Sequence, residues 1–167
     1  MDAFQRDLVA LLPRLRRFAR SLTRDPTDAD DLVQIAVERG LARRDQWRPD
    51  TNLANWMFRL MKNAWIDETR ARGRGARLMS DGADVERVVD TQAPGLDARL
   101  AARALERALG HLPGDQRIAV ALVLVEGLSY SEAADVLEIP AGTLTSRLVR
   151  GRMALMAELD GPGGRAP

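Results

Sequence analysis

Near the C-terminal end, two helical patterns meet across a single tight turn, and a chain built this way can fold there only as packed helices. Gly127 closes an apolar helical run, and Ser129-Tyr130-Ser131-Glu132 follows with the spacing of a capping box, a serine answered three residues later by a glutamate. The helix so started lasts about two turns, to Leu137. Glu138-Ile139-Pro140-Ala141-Gly142 forms the turn, with Pro140 where the first turn of a helix tolerates a missing N–H. The last helix then buries Leu144, Leu148, Leu155 and Leu159 and exposes Thr143, Thr145, Ser146, Arg147, Val149 and Arg150. This is the outline of a helix-turn-helix whose second helix enters a DNA major groove.

Composition favours helices in the rest of the chain too. The 167 residues are 46% hydrophobic but only 4% aromatic, so the core is built from Leu, Ala, Val and Met. Cysteine is absent, which excludes disulfides, thiolate metal sites and thiol chemistry. One histidine, His111, is too few for a histidine metal site or a catalytic triad, so neither a metal nor a cofactor is expected. No apolar run reaches membrane-spanning length, and the first residues lack the pattern of a secretion signal, so a cytoplasmic chain without membrane insertion is expected.

The net charge of +1 conceals an uneven distribution. Residues 1–74 carry 15 basic and 11 acidic side chains, residues 75–98 carry 2 and 5, and residues 99–167 carry 8 of each. A basic front and an acidic middle suit a nucleic-acid-binding unit followed by a linker kept off the nucleic acid.

Four further patterns organise the chain. Phe4 to Leu22 is amphipathic, with Pro13 expected to bend or split it, and a second helix capped by Thr27 or Asp28 runs to about Arg44. After a loop at residues 47–52, Leu53 to Arg74 gives the longest helical pattern. Its apolar stripe includes Trp56, Leu60 and Ala64, and its basic face includes Arg59, Lys62, Arg70, Arg72 and Arg74. Periodicity is then lost up to Gly95, where Gly, Asp and Pro accumulate. A helix from Leu96 to Leu109 follows, and after Pro113-Gly114 Asp115 is expected to cap another from Gln116 to Glu126.

At this point the chain resembles the extracytoplasmic-function (ECF) sigma factors of bacterial RNA polymerase. Residues Asp28-Ala29-Asp30-Asp31-Leu32-Val33-Gln34 resemble their core-polymerase-binding region, and Asn55 through Asp67 the helix that melts and reads the minus-ten element. Leu112-Pro113, Gly127 to Ala134 and Gly142 to Leu148 resemble the domain that reads the minus-35 element. The chain departs from the pattern at Ile35, where the family often carries an acid.

The resemblance implies an all-α fold of two small helical domains, a sigma region 2 bundle over 1–74 and a sigma region 4 helix-turn-helix over 96–160. A flexible acidic linker, 75–95, joins them, and 161–167 is a tail. It implies an ECF-type sigma factor with no enzymatic chemistry of its own, monomeric when free. Its partners would be core polymerase, duplex minus-35 and single-stranded minus-ten promoter DNA, and an anti-sigma factor. Asp81, Asp84, Glu86 and Asp90 would let the linker imitate nucleic acid in a basic polymerase channel.

Site residues follow from chemistry and resemblance together. For core polymerase they are Asp28, Asp31, Leu32, Gln34 and Leu41, on a helix with more apolar surface than a small domain hides. Capture of single-stranded minus-ten DNA needs cations for phosphate and a pocket for an unstacked base. Arg59, Lys62, Arg70, Arg72 and Arg74 supply the cations, and Asn63 with Asp67 reads a flipped base by resemblance. Trp56 reads as core rather than as a stacking platform. For minus-35 duplex DNA the set is Thr143, Thr145, Ser146, Arg147, Val149, Arg150 and Arg152. There arginine bonds guanine, hydroxyls take base or phosphate, valine meets a thymine methyl, and Arg152 takes phosphate. The alternative reading is a sigma-like mimic that sequesters an anti-sigma factor without touching DNA. The basic face at Arg70, Arg72 and Arg74 argues against it.

Overall fold

The computed structural model describes residues 1–75 and 95–161. The acidic segment with its four named carboxylates, and the tail after Gly161, lie outside the described residues, as does the side chain of Arg74.

The first half consists of α1 (Ala3–Leu22), α2 (Pro26–Ala42), a 3-10 turn at Arg44–Gln46 and α3 (Leu53–Gly75). Asp2 starts α1 through a reciprocal capping box: its carboxylate accepts from the Gln5 amide at 2.9 Å, and the Gln5 side chain accepts from the Asp2 amide at 3.0 Å. Phe4, Leu8, Leu15, Phe18, Ala19 and Leu22 are its buried stripe. Pro13 lies inside α1 without splitting it. Pro13 and Val9, one turn back, are both exposed, so water can serve the carbonyl that loses its donor.

The cap of α2 is Asp25, not Thr27 or Asp28. Its carboxylate accepts from the Thr27 amide at 2.8 Å, and Pro26 takes the first helical position, where no donor is missed. Phe18 of α1 and Phe58 of α3 meet at 4.8 Å between ring centroids in the middle of the bundle. Trp56 packs its edge near Phe4 at 6.3 Å, in the core role expected of it.

The second half holds α4 (Leu96–Gly110), α5 (Gly114–Val120), α6 (Tyr130–Leu137) and α7 (Ala141–Asp160). The helix expected from Gln116 to Glu126 is in two parts, because α5 widens into a π turn over Ala121–Val125, closed by the Glu126 amide bonding the Ala121 carbonyl at 2.9 Å. Asp115 lies inside the first turn rather than capping it. Gly127 then reverses the chain at φ 74°, a conformation that favours glycine.

The Ser129–Glu132 capping box is present in both directions, each bond 3.1 Å. Pro140 is the N-cap of α7, one position earlier than expected. Leu144, Leu148 and Leu155 are buried beneath α7, and Leu159 packs on the core's edge. Between Leu148 and Leu155, Gly151 lets α7 touch α5: a β-carbon there would sit 2.6 Å from a Val120 methyl and 3.3 Å from the Gln116 carbonyl.

The two halves share one hydrophobic core, α1 packing on α4 and α5, and α3 on α6. Arg117 ties them together by donating to the carbonyls of Leu109, Gly110 and Leu112 in its own half and to Leu22 at the end of α1, all within 3.0 Å. Arg24 answers from α1's end with a 2.6 Å bond to the Gly110 carbonyl. Helix C-termini present unpaired carbonyls and a partial negative charge, which cations satisfy. Burial lowers the pKa of the Arg117 guanidinium, an effect of desolvation with the Arg24 charge adding to it.

Candidate polymerase and nucleic-acid interfaces

The first surface lies along α1 and α2. Leu12, Arg16, Arg20, Asp30, Val33, Gln34, Val37 and Glu38 line an open groove with apolar floor and charged rims. Of the residues expected to meet polymerase, Asp31, Gln34 and Leu41 are exposed, and Gln34 donates to Glu38 at 3.3 Å. Leu32 is fully buried and supports this surface from behind, since it has no area to offer a partner. Asp28 is turned away toward α3, where its two oxygens accept from the Arg72 guanidinium at 2.7 Å each. That hydrogen bond holds its carboxyl below the usual carboxylate range.

The second surface is the α3 face. Arg70 is exposed, and Arg72 is exposed although paired with Asp28. Asn63 is half-buried, and the exposed Asp67 accepts weakly from Arg39 of α2 at 3.4 Å. Arg59 and Lys62 are already engaged inside the chain. Lys62 is 5% exposed with its ammonium 3.4 Å from Glu138, and Arg59 Nη2 donates to the Asp135 carbonyl at 2.9 Å. The structure therefore divides the expected minus-ten cations into an open group at the C-terminal end of α3 and a covered group at its middle.

The third surface is the outer side of α7. Thr145, Ser146, Val149, Arg150 and Arg152 are exposed outside the buried Leu144–Leu148–Gly151–Leu155 line, with Val149 one turn beyond Thr145 and Arg150 one turn beyond Ser146. The Thr145 hydroxyl donates to the Ala141 carbonyl at 3.0 Å and keeps its lone pairs outward. Thr143 is half-buried, and Arg147 leans back toward Asp115 at 3.7 Å. Among the described residues, no acidic cluster of three or more lies close enough to hold a metal ion, and no helix is long and apolar enough to cross a membrane.

Sequence reasoning missed the polar contacts between halves. Glu126 has no exposed side-chain surface and accepts from Arg17 at 2.8 and 2.9 Å and from Arg14 at 3.4 Å. Glu132 accepts from the Asn55 amide at 2.7 Å in addition to its capping bond, and its pKa is lowered first by that Asn55 bond. The signal was a single acid closing the apolar run Ile118–Val125.

Comparisons with known proteins agree with this geometry. Residues 8–62 match the model of the Sigma2 domain of PhyR, and residues 102–155 match that of Sigma-70, region 4. The ECF RNA polymerase sigma factor EcfG of Rhodopseudomonas palustris is 38% identical over 95% of this chain and 86% of its own length. The solved sigma factor RpoE of Bartonella quintana, in complex with the anti-sigma factor NepR, superposes over 97% of this chain and 99% of its own with a TM-score of 0.79 at 34% identity. The anti-anti-sigma factor PhyR of the same organism shares the fold, with a TM-score of 0.60 at 18% identity over 92% of this chain and 49% of its own. The chain belongs to the ECF RNA polymerase sigma factor family.

Proposed function

We propose that this sigma factor brings polymerase to promoters through a division of labour between its halves, residues 1–74 and 96–160. The α1–α2 groove with its Gln34, together with the exposed Asp31 and Leu41 of α2, docks on core polymerase, α7 reads the duplex minus-35 element, and α3 around Asn63 captures minus-ten bases. The observation that carries this reading is the outer face of α7. Its hydroxyl, valine and arginine side chains face solvent over the first turns, while Leu144, Leu148 and Leu155 on the opposite side are buried. Such a face supplies donors, acceptors and a methyl contact for base edges, with arginine for guanine or phosphate.

An anti-sigma factor is a further partner under this reading, supported by the solved complex of the related RpoE. A second reading, the mimic that binds an anti-sigma factor but not DNA, is favoured by the engagement of Arg59 and Lys62 within the chain. The exposed Arg70, Arg150 and Arg152 favour the first.

Transcription from a pool of genomic promoter fragments, with core polymerase and this chain, decides between them. Starts sharing two upstream motifs at fixed spacing are expected. Arg150→Ala weakens upstream-element binding by about 1–3 kcal/mol if it contacts a base, and Asn63→Ala leaves that binding but impairs melting. Both variants transcribing like the parent would sink the site assignment; no starts from folded protein would transfer the case to the mimic.

A further inference from the structure

Helix α7 carries the arginines Arg147, Arg150 and Arg152, and only the first faces an acid. Among the described residues Arg150 and Arg152 enter no ion pair, and both stand exposed. Arg147 is half-buried at the edge of the face that borders α5, its Nε 3.7 Å from Asp115 Oδ2.

Asp115 is itself fixed. Its other oxygen, Oδ1, accepts from the Gln116 amide at 3.0 Å in the first turn of α5. The two helices are seated backbone to backbone just beside it. One turn beyond Arg147, Gly151 is the point where a β-carbon would stand 3.3 Å from the Gln116 carbonyl. The residue next to Asp115 therefore meets the residue one turn from Arg147, and helix packing sets how far the acid lies from the guanidinium.

An unrestrained arginine samples many rotamers, and many arginine contacts to DNA go to phosphate, which carries no sequence information. A guanidinium whose Nε side faces a fixed carboxylate has fewer positions open to it. Its Nη hydrogens stay available, and they form the fork that matches guanine O6 and N7. The acid also acts through its own charge. At the border of a DNA-reading face it repels phosphate, which weakens binding to any duplex that offers Arg147 no matching base.

We infer that Asp115 is a positioning residue for sequence discrimination: it aims Arg147 at a guanine edge in the upstream duplex element and lowers affinity for duplexes that lack it. The inference rests on the proposed reading of α7 as the face that meets minus-35 DNA.

The test uses core polymerase loaded with the full chain. One probe is a duplex promoter fragment, taken from a mapped start, with its upstream motif randomised one base pair at a time and the bound fraction sequenced. The other is the same fragment with the whole motif scrambled, binding by core polymerase alone being subtracted. Asp115→Asn keeps an acceptor for the Gln116 amide and removes only the charge, so the first turn of α5 is preserved; Asp115→Ala removes both.

Arg147→Ala should lower discrimination at one guanine–cytosine pair about tenfold, the size of a single bidentate contact. Both Asp115 variants should lower discrimination at that same pair by about threefold or more. Their affinity for the scrambled fragment should rise about twofold, a gain that shrinks as salt is added. In the Arg147→Ala background neither substitution should alter the base preference further.

An even loss over all positions in the Asp115 variants, with the pair still discriminated, overturns the positioning role and leaves α5 as general support for α7. A gain on the scrambled fragment with discrimination intact overturns it as well, the acid then being a repelling charge alone. Lost discrimination without that gain overturns the repulsive half of the inference. Further loss at the pair in the Arg147→Ala background would mean that Asp115 accepts from a base directly, and Arg147→Ala weakening every fragment alike would make Arg147 a phosphate contact; either result refutes the assignment. If Arg147→Ala and Arg150→Ala both bind all fragments as the parent does, the reading of α7 itself fails, and the inference with it.

Discussion

The Glu126 carboxylate, at the end of the π turn, has no exposed surface and is gripped by the Arg17 guanidinium from α1 through two bonds of 2.8 and 2.9 Å. The pairing raises the arginine's pKa, chiefly through the hydrogen bond to Glu126. An acid buried this fully is tolerable only while paired, because desolvation of a lone carboxylate exceeds any packing gain.

Removing the cations should therefore cost more than removing the acid. Arg14→Ala with Arg17→Ala leaves Glu126 buried and unpaired, and should destabilise the chain by about 2–4 kcal/mol, discounted from the fully buried case because both arginines are partly exposed. Glu126→Gln, which keeps size and hydrogen-bonding capacity, should cost less than half as much. Urea unfolding of the three forms measures the order; equal losses would mean that the acid is held by packing, not by its partners.

The Ser129 cap gives a smaller and more local effect. Ser129→Ala loses the acceptor for the Glu132 amide, and about 1 kcal/mol is expected to go with it. The loss should appear as faster amide exchange in the first turn of α6, with α1 and α2 unaffected. Uniform exchange changes would show that the helix-turn-helix and the bundle unfold as one unit.

Much of the fold was legible because periodicity and caps are local. The Ser129–Glu132 box, Gly127, and the Leu144–Leu148–Leu155 stripe could each be read from neighbours in sequence and stand where expected. The α7 face followed from the same periodicity. What sequence did not disclose were contacts between residues far apart in the chain, such as Arg17 with Glu126, 109 positions away, or Lys62 with Glu138, 76 positions away. Two surface charges of opposite sign look the same in sequence whether they meet or not. Leu32 shows the opposite limit: an apolar residue in a binding motif reads as surface for a partner, but the chain's own core buries it completely. Pro13 does not split α1 because it stands on a solvent face, where the carbonyl freed one turn back is open to water.

Asp28 and Arg72 predict an acid limb of stability. The carboxyl's pKa is depressed in the folded chain, first by the Arg72 hydrogen bond, while burial opposes the shift. A depressed acid contributes stability that is fully present above the unfolded value, roughly 3.9, and is lost as pH falls through the lower folded value. Glu68 nearby has its pKa raised, mainly by burial, so it takes up a proton before Asp28 does. Asp28→Asn should thus lower the melting temperature at neutral pH by a few degrees at most, since Arg72 is largely exposed, with the difference from the parent vanishing well below pH 4. A gap that persists in strong acid would assign the effect to packing rather than to charge.

Two glycines in helices should respond to alanine with opposite signs. At Gly73, inside α3, a β-carbon meets nothing within 4 Å, so Gly73→Ala gains helix propensity and should stabilise by about 0.5–1 kcal/mol. At Gly151 the same methyl would stand 2.6 Å from a Val120 methyl and 3.3 Å from the Gln116 carbonyl, and backbone cannot rotate away as a flexible side chain can. Gly151→Ala must push α7 off α5, at a cost of about 1–3 kcal/mol, and because α7 carries the exposed arginine face the displacement should also weaken binding to minus-35 duplex DNA. Pairing Gly151→Ala with Val120→Ala removes the closest clash, and partial recovery of both stability and duplex binding is the expected outcome. Stability recovered without binding would mean that α7 returns to its seat in a rotated register; no recovery of either would place the obstruction at the Gln116 carbonyl instead.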